Sequence, residues 1–87
     1  MRLDLFLKVS RLCPRRTLAQ ELCDAGFVLV NGIPAKSAHA VKAGDEITLR
    51  RRDLTTRIVV LKVPNTLQVS RAEAPRLYQT VSEVKSE

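Results

Sequence analysis

The chain has 87 residues, 45% of them apolar and 28% charged, with a formal net charge of +6 and an isoelectric point near 10.0. A chain of this length makes one small domain that buries only about 60% of its unfolded surface, which leaves no room for a separate catalytic domain. The apolar content argues against wholesale disorder, and the absence of an apolar run of about 18 residues argues against a membrane-spanning helix.

No signal peptide and no long cationic helix with aromatic anchors is evident either, so a cytoplasmic protein without a membrane partner is expected. Two cysteines without an export signal are not a disulfide framework, and Cys13 and Cys23 are expected to be ordinary thiols. His39 is the only histidine and no Cys-x-x-Cys spacing occurs, so neither a metal nor another cofactor is expected.

Charge is distributed in blocks: residues 1–20 carry +4, residues 21–49 carry −2, residues 50–62 carry +4 and residues 63–87 are neutral. The first block holds Arg2, Lys8, Arg11, Arg15 and Arg16 against Asp4 alone. Clustered cations of this kind are the electrostatic footprint of a nucleic-acid partner.

In chain order, Leu3, Phe6, Leu7 and Ser10 stand at i, i+3, i+4 and i+7, the buried stripe of an amphipathic helix over residues 3–12. Lys8 and Arg11 share another face. Pro14 interrupts the pattern, because the residue before a proline is biased away from helical geometry. A second helix follows, with Leu18, Ala19, Leu22 and Cys23 as its stripe and Gly26 as its left-handed terminator. Arg15 and Arg16 sit at its entrance, where helix amides and guanidinium groups together make a phosphate seat. Pairing of Arg16 with Glu21 or Asp24 is the alternative that spacing leaves open.

From residue 27 the period changes to two. Residues 27–30 read as a strand running into Asn31-Gly32, a tight-turn dipeptide, with Pro34 confining the returning strand to an edge. Residues 46–50 alternate polar and apolar as a half-buried strand, residues 51–53 read as a turn, and residues 56–63 form a β-branched strand. Pro75 opens a short C-terminal helix whose docking stripe is Leu77, Tyr78, Val81 and Val84; Ser70 and Glu73 have capping-box spacing, but a start at Ser70 puts Pro75 past the first turn. The fold class is therefore α+β: two N-terminal helices on a small antiparallel or mixed sheet, with a short C-terminal helix.

The ordered series Arg2-Leu3-Asp4-Leu5-Phe6-Leu7, Arg11, Arg15-Arg16-Thr17-Leu18-Ala19, Gly26-Phe27-Val28-Leu29-Val30-Asn31-Gly32 and Gly44-Asp45-Glu46-Ile47 resembles the S-four RNA-binding domain, named after ribosomal small-subunit protein four. The resemblance spans about residues 1–50 and extends loosely to 62, giving an RNA-binding domain at 1–62 and a C-terminal extension, with its short helix packed on the domain, at 63–87. Among stand-alone members it is nearest a short bacterial subgroup of ribosome-associated quality control. That resemblance implies binding to obstructed large ribosomal subunits that carry peptidyl-tRNA, with rRNA and tRNA as partners, an RqcH-type factor on the same particle, and support of alanine tailing. A related heat-shock branch that recycles blocked subunits carries a longer basic extension, whereas this chain ends at Glu87. A monomer off the ribosome is expected.

Carried over by the resemblance, Arg2 and Arg16 fall where the family touches rRNA and tRNA backbone, with Lys8, Arg11 and Arg15 beside them. The family commonly has Ser or Thr at the position of Arg15, so the second helix is expected to lack a cap worth about 1 kcal/mol. Pro14 stands where the family usually has a helix-tolerant residue. A secondary RNA contact by Arg50, Arg51 and Arg52, with Arg57 nearby, stands against a solvated turn, and Lys36 and Lys42 are in the same position. Phe6 and Phe27 fall on predicted buried stripes, so phosphate and shape, not base stacking, are the expected mode of recognition. A protein-binding adaptor that uses a sheet edge or a Leu77/Tyr78 face is the alternative from another class. No catalytic residue is identified; Asp4 is expected to favour a helix N-terminus and orient arginines.

Overall fold

The computed structural model describes residues 1–85. Helix α1 (Leu3–Val9) and helix α2 (Arg16–Asp24) precede a five-stranded sheet: β1 (Val28–Val30), β2 (Ile33–Pro34), β3 (Glu46–Arg50), β4 (Leu54–Val60) and β5 (Tyr78–Lys85). The strand order is β2-β1-β3-β4-β5, and every neighbouring pair is antiparallel. The α+β arrangement expected from sequence is therefore present, with an antiparallel rather than mixed sheet.

Leu3, Phe6 and Leu7 are fully enclosed, as their helical spacing requires, and they meet Val28, Val30, Ile47, Leu49, Ile58 and Val60 from the sheet. Helix α1 is short because Ser10 closes it and Arg11 turns left-handed at φ 63°, which lets the Cys13 amide return to the Leu7 carbonyl at 2.9 Å. Arg2 and Arg11 thus bracket α1 from outside. Helix α2 ends as expected, with Gly26 at φ 80°. Of its predicted stripe, Ala19 and Cys23 are buried, whereas Leu18 and Leu22 are only half-buried. Asn31 at φ 52° and Gly32 at φ 83° supply the two positive angles of a tight hairpin, pairing Val30 with Ile33.

The C-terminal segment departs from expectation. Only Ala74–Leu77 is helical, as a single 3₁₀ turn with Pro75 in its first positions; residues 78–85 are a strand. Leu77 is buried, but Val81 and Val84, assigned to a docking stripe, are 52% and 60% exposed. Two forces explain the outcome: Thr80, Val81 and Val84 are β-branched, and a helix here would leave the polar edge of β4 unpaired. Instead β5 pairs with β4 from Val60↔Tyr78 to Leu54↔Lys85, with an irregularity at Arg57/Ile58 where Val81 is the extra residue. Ser70 does act as a cap, since its Oγ accepts from the Glu73 amide at 3.1 Å, but the chain stays in turns until Ala74. Among the described residues no helix is long and apolar enough to cross a membrane.

Candidate nucleic-acid interface

The two helices meet at a buried carboxylate. Asp4 lies in the first turn of α1, where a negative charge complements the helix N-terminus, and its side chain is completely enclosed. The turn is held from behind: the His39 carbonyl accepts from the Leu3 amide at 2.8 Å and the Ser37 carbonyl from the Asp4 amide at 3.1 Å. Arg2 precedes the helix in extended geometry and pairs with Ala40 in an antiparallel bridge. Residues 36–42 therefore clasp the start of α1, which places Lys36 and Lys42 at the two ends of the clasp.

Arg2 donates from Nε to Asp4 Oδ1 at 3.1 Å and from Nη2 to Oδ2 at 3.3 Å, while Arg16 donates from Nε to Oδ2 at 3.1 Å. Gln20, one turn beyond Arg16, adds Nε2 to Oδ2 at 3.0 Å, and the Leu5 amide reaches Oδ1 at 2.8 Å. Burial raises the Asp4 pKa, but the hydrogen bonds from Gln20, Arg16, Arg2 and the Leu5 amide outweigh it and hold the group below its ordinary value. Asp4 is thus an ionised anchor whose oxygens are fully engaged. The surface pairing of Arg16 with Glu21 or Asp24 left open by spacing is not the one formed.

The Arg2 and Arg16 side chains remain 44% and 42% exposed. Arg16 commits only Nε to Asp4, which leaves its two terminal nitrogens without a hydrogen-bond partner among the described residues. Each guanidinium is fixed along its inner side and free along its outer side, which suits bidentate capture of a phosphate. Lys8 is exposed near the end of α1, and Arg11 and Arg15 are exposed in the segment between the two helices. Arg15 occupies the N-cap of α2 in extended geometry and supplies no side-chain cap, as expected for an arginine at this position.

The two basic blocks, separate in sequence, are joined in space. The Arg51 guanidinium donates to the Leu12 carbonyl and approaches Cys13 Sγ at 3.8 Å, tying the β3–β4 turn to the loop between the helices. Burial pushes the Cys13 thiol up, with Arg51 partly opposing it, and burial with the nearby Asp4, Cys13 and Asp24 charges raises Cys23 to about 11. Both cysteines are free and buried. Arg57 faces elsewhere and is neutralised by Glu46, with contacts of 3.0 and 2.7 Å. Arg50 and Arg52 line a recess around Phe27, which is 47% exposed and not buried as its apolar neighbours suggested.

Sequence reasoning missed Gln20 and Phe27. Gln20 was signalled by its position one helical turn from Arg16. Phe27 was signalled by parity: Val28 and Val30 face the core, so residue 27 must face away.

The S4 domain family model matches residues 1–47. The "RQC P-site tRNA stabilizing factor" of Halalkalibacterium halodurans is 46% identical over 83 residues, covering 95% of this chain and 92% of the relative; the Bacillus subtilis protein of that name is 44% identical, covering 98% and 96%. The chain belongs to the S4 family of RQC P-site tRNA stabilizing factors. Solved S4-like structures superpose closely. Heat shock protein 15 of Vibrio cholerae gives a TM-score of 0.83 at 32% identity, covering 94% of this chain and 82% of the other. A hypothetical protein solved in solution, HP1423, gives 0.82 at 34% identity, covering 94% and 98%.

Proposed function

We propose that this protein is a cytoplasmic RNA-binding factor of ribosome-associated quality control. It binds obstructed large ribosomal subunits carrying peptidyl-tRNA, contacts rRNA and tRNA backbone, and supports alanine tailing of the stalled chain alongside an RqcH-type factor. The observation that carries this reading is the seating of Arg2 and Arg16 on one buried carboxylate with both side chains still partly exposed, on a protein whose other N-terminal cations, Lys8, Arg11 and Arg15, are exposed as well. Two rigidly held guanidinium groups lose little freedom on meeting phosphate, so the face is suited to grip a folded RNA backbone by shape. Full-length relatives named for P-site tRNA stabilisation support the assignment. Residues 1–62 are the RNA-binding unit in this reading, and residues 63–87 an extension that completes the sheet through β5.

Binding, not catalysis, is the role we infer, because Asp4 spends its oxygens on five donors and is held ionised as an orienting group. A second reading, recycling of blocked subunits as in the heat-shock branch, is favoured by the fold likeness at a TM-score of 0.83. An adaptor built on a Leu77/Tyr78 face is disfavoured, since Leu77 is buried. Recovery of the tagged protein from its host separates these outcomes. Free large subunits with peptidyl-tRNA and alanine-tailed chains support the first reading, the same subunits without tailing support the second, and a partner retained after nuclease treatment supports the adaptor.

A further inference from the structure

Phe27 stands half out of the fold although Phe6 is fully enclosed. Its backbone is fixed on both sides: its amide donates to the Leu22 carbonyl at 2.9 Å, and its carbonyl accepts from the Arg50 amide at 2.8 Å. Two adjoining recesses share the ring. One, of about 430 Å³, is lined by Phe27, Arg50, Arg51, Arg52 and Thr55; the other, of about 450 Å³, adds Leu18 and Leu22 from α2 to the same aromatic and the same arginines.

An apolar ring left in water forfeits burial energy, and here it is flanked by two half-buried leucines. Around it stand three consecutive arginines, and among the described residues neither Arg50 nor Arg52 has an ion-pair partner. A ligand that suits both features is flat and apolar on one face and anionic at its edge. We propose that Phe27 with Arg50 and Arg52 forms a seat for one unpaired RNA nucleotide, with its base stacked on the Phe27 ring and its phosphate held by these two guanidinium groups, while Arg51 fixes the wall of the recess to the loop between the helices.

This rests on the reading of the Arg2/Arg16 face as an RNA surface. It adds to that reading a preference for an unstacked base, which phosphate contacts alone do not confer. Continuity favours RNA over an acidic protein as the occupant. Arg51 ties the seat to the loop that carries Arg11 and Arg15, so one RNA can cross both. A continuous duplex presents no free base face, so the seat selects a bulge, loop or strand end.

The test uses two hairpin RNAs that differ by a single bulged nucleotide, titrated against the full chain and its Phe27→Ala, Phe27→Trp and Arg16→Ala variants, with circular dichroism to verify each fold. The full chain is expected to bind the bulged hairpin about tenfold more tightly, the order of effect of stacking one base. Phe27→Ala removes that preference without changing affinity for the paired hairpin. Because the chain contains no tryptophan, fluorescence of Phe27→Trp reports the seat directly, and only the bulged RNA should quench it. Arg16→Ala weakens both hairpins alike; if it weakens neither, the RNA-face reading fails independently of the seat. Absence of a preference in the full chain, survival of the preference in Phe27→Ala, or equal quenching by both hairpins overturns the proposal. Loss by Phe27→Ala of a protein that co-purifies with the tagged natural chain, with hairpin binding unchanged, overturns it in favour of a protein contact.

Discussion

Arg16 Nε meets Asp4 Oδ2 at 3.1 Å across 12 positions of sequence, and this contact fixes the start of α2 against the start of α1. With Arg2 spanning both oxygens, the carboxylate converts two long flexible cations into a shaped surface. Electrostatic attraction alone would not require Asp4, since the acid reduces the local positive charge.

Arg2→Ala and Arg16→Ala each remove one outward guanidinium while leaving the hydrophobic stripe of α1 intact. Each is expected to weaken association with large subunits about tenfold or more near physiological salt and to lower the magnitude of the log–log salt slope by about 0.7–0.9. Co-sedimentation across salt concentrations measures both. Arg16→Lys should recover only part of the loss, because a lysine ammonium cannot bond Asp4 through an inner edge and offer a planar fork outward.

Asp4 also sets a pH dependence. Its native pKa lies below the ordinary value of 3.8, so native protein binds this proton more weakly than unfolded chain does. The stabilisation is therefore present above the unfolded value and is lost as pH falls through the native one. Denaturant unfolding from pH 6 to pH 2 should show a stability gap between the natural chain and Asp4→Asn that narrows towards the acid end. A gap independent of pH would assign the role of Asp4 to packing.

Cys23 has the opposite sign. Its thiol is raised from 9.0 to about 11, so unfolded chain releases this proton first, and the thiol contribution to stability declines as pH rises from about 9 through 11. Native Cys23 is expected to resist thiol-modifying reagents at pH 8, with labelling that follows unfolding. Rapid labelling under native conditions would show that the site opens locally.

Removal of residues 78–85 strips β4 of its outer partner along its whole length and leaves it an edge strand paired only with β3. The truncated chain is expected to melt at a markedly lower temperature and to associate through the freed edge, as seen by circular dichroism and light scattering. Unchanged melting of a monomer would show that β5 adds nothing to the fold.

Local patterns were the legible ones. Leu3, Phe6 and Leu7 announce α1 and Asn31-Gly32 announces its hairpin, because each signal lies within one or two turns of chain; Asp4, the one acid among the cations of residues 2–16, announces the carboxylate on which Arg2 and Arg16 meet. Residues 77–84 were misread because Leu77, Tyr78, Val81 and Val84 satisfy a helical stripe, and only the open edge of β4, distant in sequence, decides for a strand. The reach of Arg51 to Leu12 is likewise a product of the assembled fold. Phe27 was misread for another reason: an apolar residue beside Val28 looks buried until the parity of the strand is applied.

The most direct measurement is the affinity of Asp4→Asn for large subunits carrying peptidyl-tRNA, compared with the natural chain under conditions where both are folded. The substitution raises net charge from the formal +6 by one unit while weakening the anchor beneath Arg2 and Arg16. Positioning by Asp4 predicts weaker binding despite the added positive charge. Equal or tighter binding would contradict it and reduce the site to net attraction.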